Sequence, residues 1–198
     1  MKTILVLFYS RTGATTELAR QVCRGIDSVP GASASLRTVP PVVTQVEGPA
    51  QPVPPSGPPY ATHADLAQCD GLILGSPTRF GNMAAPLKHF LDCSGDIWAS
   101  GALAGKPAAV FTSSNTHHGG QESTLLTMML PLLHQGMVLV GLPYTEAALH
   151  STRTGGTPYG ASHISSQQQT VVALSEEEKT LAQALGRRVA QIALRLGG

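Results

Sequence analysis

The sequence predicts an α/β domain, a parallel β-sheet covered by helices on both faces. Three observations carry this expectation. Short continuous apolar runs, such as Gly71-Leu72-Ile73-Leu74-Gly75, have the composition of strands buried on both faces. Segments with helical apolar spacing follow them, so that, apart from two long irregular connections, strand and helix alternate five times. The 198 residues, 42% of them apolar, suffice for one domain with a substantial core, two smaller domains being the alternative.

The elements follow in order. Ile4-Leu5-Val6-Leu7-Phe8 is a buried strand. A helix is expected over 13–28, where Leu18, Val22 and Ile26 recur every four residues, and Pro30-Gly31 ends it. Ala34, Leu36 and Thr38 alternate with polar neighbours in a second strand over 32–39. Residues 40–62 form a long proline-rich loop inside the domain. A short helix over 64–67 precedes the third strand at 71–75, and Leu87, Phe90 and Leu91 give the next helix its inner face. A fourth strand is expected over 107–111 and a loop over 112–121. A helix follows over 122–134, in which Pro131 predicts a kink or an early stop. The fifth strand spans 137–140, and residues 141–174 form an irregular insertion. In the last helix Ser175 and Glu178 make a capping box, Leu181, Leu185, Val189, Ile192 and Leu196 share one face, and Gly197 closes it.

Composition narrows the function classes. Only 13% of residues are charged and the formal net charge is +1, with no basic stripe of the kind that binds nucleic acid. No apolar run is long enough to span a bilayer, and Met1-Lys2-Thr3 leads directly into the first strand, so a cytoplasmic protein is expected. Cys23, Cys69 and Cys93 are odd in number and widely spaced, which suggests buried structural thiols and neither a disulfide nor a metal site.

The most informative stretch is the turn after the first strand, Ser10-Arg11-Thr12-Gly13-Ala14-Thr15. It opens a helix, whose start offers free N–H groups and the positive end of a dipole, and its hydroxyls add donors. This is a cradle for a phosphate monoester, with a plain helix cap as the alternative. No lysine ends the loop, as a nucleoside triphosphate site requires, and Gly13 stands alone where a dinucleotide fold needs three glycines. The phosphate of FMN suits it. In a parallel sheet, ligands bind at the carboxyl ends of the strands. The turns after strands three and four open at that same edge. Pro77-Thr78-Arg79-Phe80-Gly81 offers surfaces for a flat ring and one cation, and Ser113-Ser114-Asn115-Thr116-His117-His118-Gly119 offers polar groups for its edge.

Several blocks together carry a resemblance. They are Pro77-Thr78-Arg79-Phe80-Gly81-Asn82-Met83, Trp98-Ala99-Ser100-Gly101-Ala102-Leu103, Gly120-Gln121-Glu122, His134-Gln135-Gly136-Met137 and Gly155-Gly156-Thr157-Pro158-Tyr159-Gly160-Ala161. The chain resembles the flavodoxin-like proteins and, among them, the WrbA-type NAD(P)H:quinone oxidoreductases. The resemblance implies a three-layer α/β/α sandwich with strand order 2-1-3-4-5, bound FMN and a homotetramer. It also implies ping-pong transfer of two electrons from NAD(P)H to quinones. Ser10, Arg11, Thr12, Gly13, Ala14 and Thr15 would then hold the phosphate. Pro77, Thr78, Arg79, Phe80 and Gly81 would line the ring, and the loop from Ser113 to Gly119 would bind its polar edge. His134 would sit beside the flavin and serve catalysis with Arg79. Trp98, Thr12 and Tyr144 would form the substrate pocket. The chain departs from the family pattern at Thr12, where a tyrosine is usual, at His117-His118, where glycine is usual, and at Pro131.

Each of these residues also has a plainer role. His134 follows a helix and can simply meet its terminal carbonyls. Trp98 can be a packing anchor, and Arg79 can pair with Asp92. Adjacent His117 and His118 suit a solvated loop better than a metal site. Met128 and Met129 fill core space, and Glu176-Glu177-Glu178 complements a helix start. Two other functions share the fold: a flavodoxin-type electron carrier, normally strongly acidic, and an FMN-binding or flavin-free regulatory module.

Overall fold

In the computed structural model, residues 1–43, 53–167, 170–171 and 173–197 are described. Residues 44–52 of the expected proline-rich loop, and residues 168–169 and 172 of the expected insertion, lie outside that set. The elements are β1 (Lys2–Phe8), α1 (Ala14–Asp27), β2 (Ala32–Thr38), α2 (His63–Gln68), β3 (Gly71–Pro77), α3 (Ala85–Asp92), α4 (Gly95–Ala99) and β4 (Pro107–Ser114). They continue as α5 (Gln121–His134), β5 (Val138–Leu139), α6 (Ala148–Ser151), β6 (Ala161–Ile164), β7 (Ser166–Gln167), β8 (Thr170–Val171) and α7 (Glu176–Leu196).

The main sheet has the order β2-β1-β3-β4-β5, and all its pairings are parallel. This is the expected order, with one addition. The fifth position is shared by two strands: β5 pairs with Pro107 and Ala108 at the start of β4, and β6 pairs with Phe111 to Ser114 at its end. The insertion expected to be irregular therefore contributes a strand to the sheet, as well as the small antiparallel pair β7–β8. β4 is also longer than expected and carries Thr112, Ser113 and Ser114 within it. The helix with Pro131 does not stop early; it continues to His134.

Strand periodicity divides the core into two halves. Ile4, Val6, Phe8, Ile73, Ala109 and Phe111 face α1 and α7. Leu5, Leu7, Leu72, Leu74, Ala108 and Val110 face the other way, against Leu66, Leu87, Ile97, Leu125, Met128 and Leu132 from α2, α3, α4 and α5. The thiols only partly match expectation. Cys69 is buried and Cys23 half-buried, but Cys93 is exposed. Burial, helped by Asp27, pushes the Cys23 thiol up to about 12, and burial raises Cys69 to about 11, so both stay protonated.

α7 begins at the expected capping box: Ser175 Oγ accepts from Glu178 N–H, and the Glu178 carboxylate accepts from Ser175 N–H. It crosses α1 closely. A Cβ on Gly186 would stand 2.2 Å from the Val22 carbonyl oxygen, and one on Gly25 would stand 2.0 Å from that of Gln183. Backbone meets backbone here, so only glycine fits. Gly186→Ala should cost about 1–3 kcal/mol of stability, read as a lower midpoint in urea denaturation. An unchanged midpoint would contradict the close crossing.

Candidate functional site

The turn between β1 and α1 is held open by its own atoms. Ser10 Oγ accepts from Gly13 N–H at 3.0 Å. Gly13 sits at φ 96° with open space around it, so conformation and not crowding selects glycine. Gly13 is the N-cap of α1, and no side chain caps this end. The N–H groups of Ala14, Thr15 and Thr16 therefore lack intrahelical partners. Buried Thr15 shares a hydrogen bond of 2.9 Å with Ser113 Oγ, which ties the first turn of α1 to the end of β4.

The turn after β3 runs through Pro77 and Thr78. Thr78 N–H donates to the Ser113 carbonyl at 2.8 Å, and its hydroxyl meets Thr124 Oγ1 at 2.7 Å. Arg79 and Asn82 close a tight turn by two backbone hydrogen bonds, and Arg79 Nη1 donates to the Thr78 carbonyl at 2.7 Å. The turn after β4 is braced locally: Ser114 Oγ donates to the Thr116 carbonyl and accepts from Gln121 Nε2. These three turns surround one cavity of about 490 Å³, a size usual for a small-molecule site. Ser10, Arg11, Thr12, Ala14, Thr15, Pro77, Thr78, Arg79, Ser113, Ser114, Asn115, Thr116 and Gly119 line it.

Other expected residues lie elsewhere. Gly13 faces an adjoining cavity, and His117 and His118 face a polar one beside the start of α5. Phe80 and Gly81 are absent from the lining; Phe80 is fully exposed at the tip of its turn with φ 52°, a strained value for a residue with a side chain. His134 and Trp98 are together, with the indole N–H donating to the His134 carbonyl at 2.9 Å, but at the far end of α5. That helix runs antiparallel to β4, and its 14 residues span about 21 Å. A chain therefore does not bring His134 or Trp98 into its own cavity. Tyr144 is exposed and tilts against His150, also outside the lining. Arg79 makes no pair with Asp92, which binds Lys88.

The match to protein-family models decides the membership. Residues 8–148 match the model described as NADPH-dependent FMN reductase. The chain belongs to that family. Its relatives include proteins named NAD(P)H dehydrogenase (quinone) from Geobacter sulfurreducens, 48% identical over 98% of this chain and 99% of the relative. One of the same name from Syntrophobacter fumaroxidans is 44% identical, over 98% of both. Among solved structures, a flavodoxin, WrbA-like protein from Agrobacterium tumefaciens superposes with a TM-score of 0.70 at 22% identity, covering 98% of this chain and 99% of that one. Oxidised Flavodoxin 1 from Bacillus cereus gives 0.61 at 18%, covering 96% and 98%. At these identities the structural likeness concerns the flavodoxin-like fold.

Two features of this family member were not visible in its sequence pattern. Ser165, beyond β6, completes the cavity lining; its hydroxyl meets the Ser114 carbonyl and Asn115 Oδ1. Behind it, fully buried Glu178 meets His163 Nδ1 at 2.8 Å and accepts from the N–H groups of Gly155, Ile164 and Ser175. The capping box signalled the bond to Ser175, whereas the partners from the insertion had no local signal. Burial alone would raise the Glu178 carboxyl, but the bonds from His163, Ser175 and Gly155 outweigh it and hold it below its ordinary value. A depressed carboxyl stabilises the fold above the unfolded value and loses that contribution as pH falls through the folded one. Glu178→Gln should lower stability at pH 7 by about 2 kcal/mol. Its melting temperature should also fall less steeply than that of the wild type between about pH 5 and pH 3. Parallel curves across that range would contradict this role.

Proposed function

We propose that this chain is an FMN-dependent NAD(P)H:quinone oxidoreductase acting by a ping-pong mechanism. The observation that carries the reading is the uncapped start of α1 opening into a cavity walled by two further turns. Near-full-length relatives named NAD(P)H dehydrogenase (quinone) support it. The residues present fit FMN. Unsatisfied N–H groups at Ala14, Thr15 and Thr16, with the hydroxyls of Ser10 and Thr12, suit a phosphate monoester. Pro77, Thr78 and Arg79 on one wall and Asn115, Thr116 and Gly119 on the other suit a flat ring with a polar edge.

FMN, when bound, supplies the centre that takes hydride from NAD(P)H and passes two electrons to a quinone. The protein's task is to bind, orient and balance charge. Arg79 has one N–H committed to the Thr78 carbonyl, so its remaining donors can stabilise negative charge developing at the ring edge or on a quinone oxygen. Thr78, fixed through Thr124 and Ser113, orients the wall that carries it.

We infer a homotetramer as the working form. Leu126, Leu130 and Leu133 form an exposed apolar stripe on α5, and Trp98 and Phe80 are exposed as well. A neighbouring copy is the route by which Trp98, Tyr144 and His134 reach a cavity. There His134 would hydrogen-bond the substrate or deliver a proton. A cytoplasmic location suits an enzyme fed by NAD(P)H. Among the described residues, no helix is long and apolar enough to cross a membrane.

Purified protein mixed with FMN should show a bound-flavin visible spectrum, bleach under anaerobic NADH or NADPH, and recover on benzoquinone without any added protein reductase. A requirement for a separate reductase would favour an electron carrier. Thr12→Glu places a carboxylate at an exposed position of the cradle. It should weaken FMN binding roughly 100-fold by charge repulsion, as read by flavin fluorescence titration. Undiminished affinity would count against the phosphate assignment. Leu130→Glu should dissociate the tetramer in analytical ultracentrifugation; an unchanged sedimentation coefficient would remove α5 from the interface.

A further inference from the structure

A second cavity, of about 730 Å³, adjoins the one just described, and Arg11 and Arg79 line both. Tyr9, Asn82 and Lys88 add further polar groups to it. Three cations thus face one hollow in a chain whose formal net charge is only +1. No aspartate or glutamate lines it among the described residues. The contrast with the other neighbouring hollow is informative. The cavity beyond Thr12 and Asn115 carries Glu17 in its wall.

The backbone adds to the same potential. Ala84 and Ala85, at the start of α3, line the cavity, and no side chain caps that helix. Pro86 has no N–H, Ala84 N–H donates to Ser76 Oγ and Leu87 N–H donates to the Ala84 carbonyl, which leaves one N–H, that of Ala85, at this end; a lysine in the first turns is still unfavourable for the helix alone. Lys88 sits there nonetheless. It pairs with Asp92 one turn on, but both groups are more than half exposed, so water screens the pair and the ammonium can swing to another partner. Arg11 and Arg79 have no carboxylate partner among the described residues. Asn82 Oδ1 accepts from Met83 N–H, which leaves its amide NH₂ as a donor.

We propose that this basic cavity seats the 2′-phosphate of NADPH, with Lys88 as the group that distinguishes NADPH from NADH. This rests on the oxidoreductase reading, which puts the nicotinamide in the first cavity. The 2′-phosphate lies at the other end of the dinucleotide, so it must leave the first cavity by one of its walls. The wall of Arg11 and Arg79 attracts it, whereas on the other side Glu17 is paired with Arg20 and offers no net positive charge. The 2′-phosphate adds up to two negative charges, and Lys88 and Arg11 offer the matching charged donors, with the single Ala85 N–H beside them.

The test compares adenosine 2′,5′-bisphosphate with 5′-AMP by calorimetry on the FMN-loaded protein. It uses the wild type, Lys88→Met, which keeps the aliphatic stem, and Lys88→Arg, which keeps the charge. The wild type should bind the bisphosphate about tenfold tighter than 5′-AMP, the arginine variant should retain that preference, and the methionine variant should lose it. The preference should also shrink as salt is raised. In parallel, Lys88→Met should raise the KM for NADPH about tenfold and that for NADH less than about twofold. Equal binding of the two nucleotides by the wild type overturns the assignment, as does a preference that survives in Lys88→Met. A bisphosphate preference that depends on Lys88, in a protein that oxidises neither dinucleotide, would instead overturn the enzymatic reading and leave the anion site standing.

Discussion

The site depends on how the carboxyl edge of the sheet is closed. Tyr9 N–H donates to the Gly75 carbonyl, Thr78 N–H donates to the Ser113 carbonyl, and Thr15 shares a hydroxyl hydrogen bond with Ser113. These bonds lock the ends of β1, β3 and β4 level with one another and pull the first turn of α1 against them. Three turns then open side by side, and their free polar groups face a common space. The strands below are buried on both faces, so the edge has little room to shift. Loosening any of the three bonds would leave each turn intact and spoil the relation between them.

The parts of the fold that were legible in the chain are those specified locally. β1 and β3 are continuous apolar runs, and α7 announces itself by a capping box and a long apolar stripe. β6 was not legible, because Ala161-Ser162-His163-Ile164 is short and its strand character comes from pairing with β4. α4 and α6 are likewise too short to show a period. The cradle and its two companion turns were legible through their hydroxyls and their place after buried strands. Ser165 was not, since it arrives from the far side of an insertion. Resemblance placed His134 beside a flavin and Trp98 in a substrate pocket without saying which chain supplies the rest of the site. The direction of α5 answers for a single chain, because it carries both away from the cavity.

Charge is distributed unevenly across this edge. The turn after β1 brings hydroxyls, backbone N–H groups and one arginine to the first cavity, whose lining includes no lysine among the described residues. Arg11 and Arg79 line both cavities, and Lys88 joins them in the second. Such an arrangement separates two jobs. On the function proposed above, a resident phosphate would be held by short, directional bonds, while a visiting anion would be drawn by a diffuse positive potential that salt weakens. Strain follows the same geography. Phe80, at positive φ and fully exposed, marks the turn between these two regions as one whose shape is imposed by its surroundings.

The divided fifth position of the sheet fixes where the last rim residue arrives. β5 and β6 each take hold of a different stretch of β4, and the chain between them leaves the sheet and returns to it. The excursion is tied along its length as well as at its anchors: Leu142 N–H donates to the Pro158 carbonyl, and Gly155 N–H donates to buried Glu178 of α7. The chain therefore returns to β4 along a fixed path, and Ser165, the residue after β6, reaches the rim of the cavity from a strand held by that pairing.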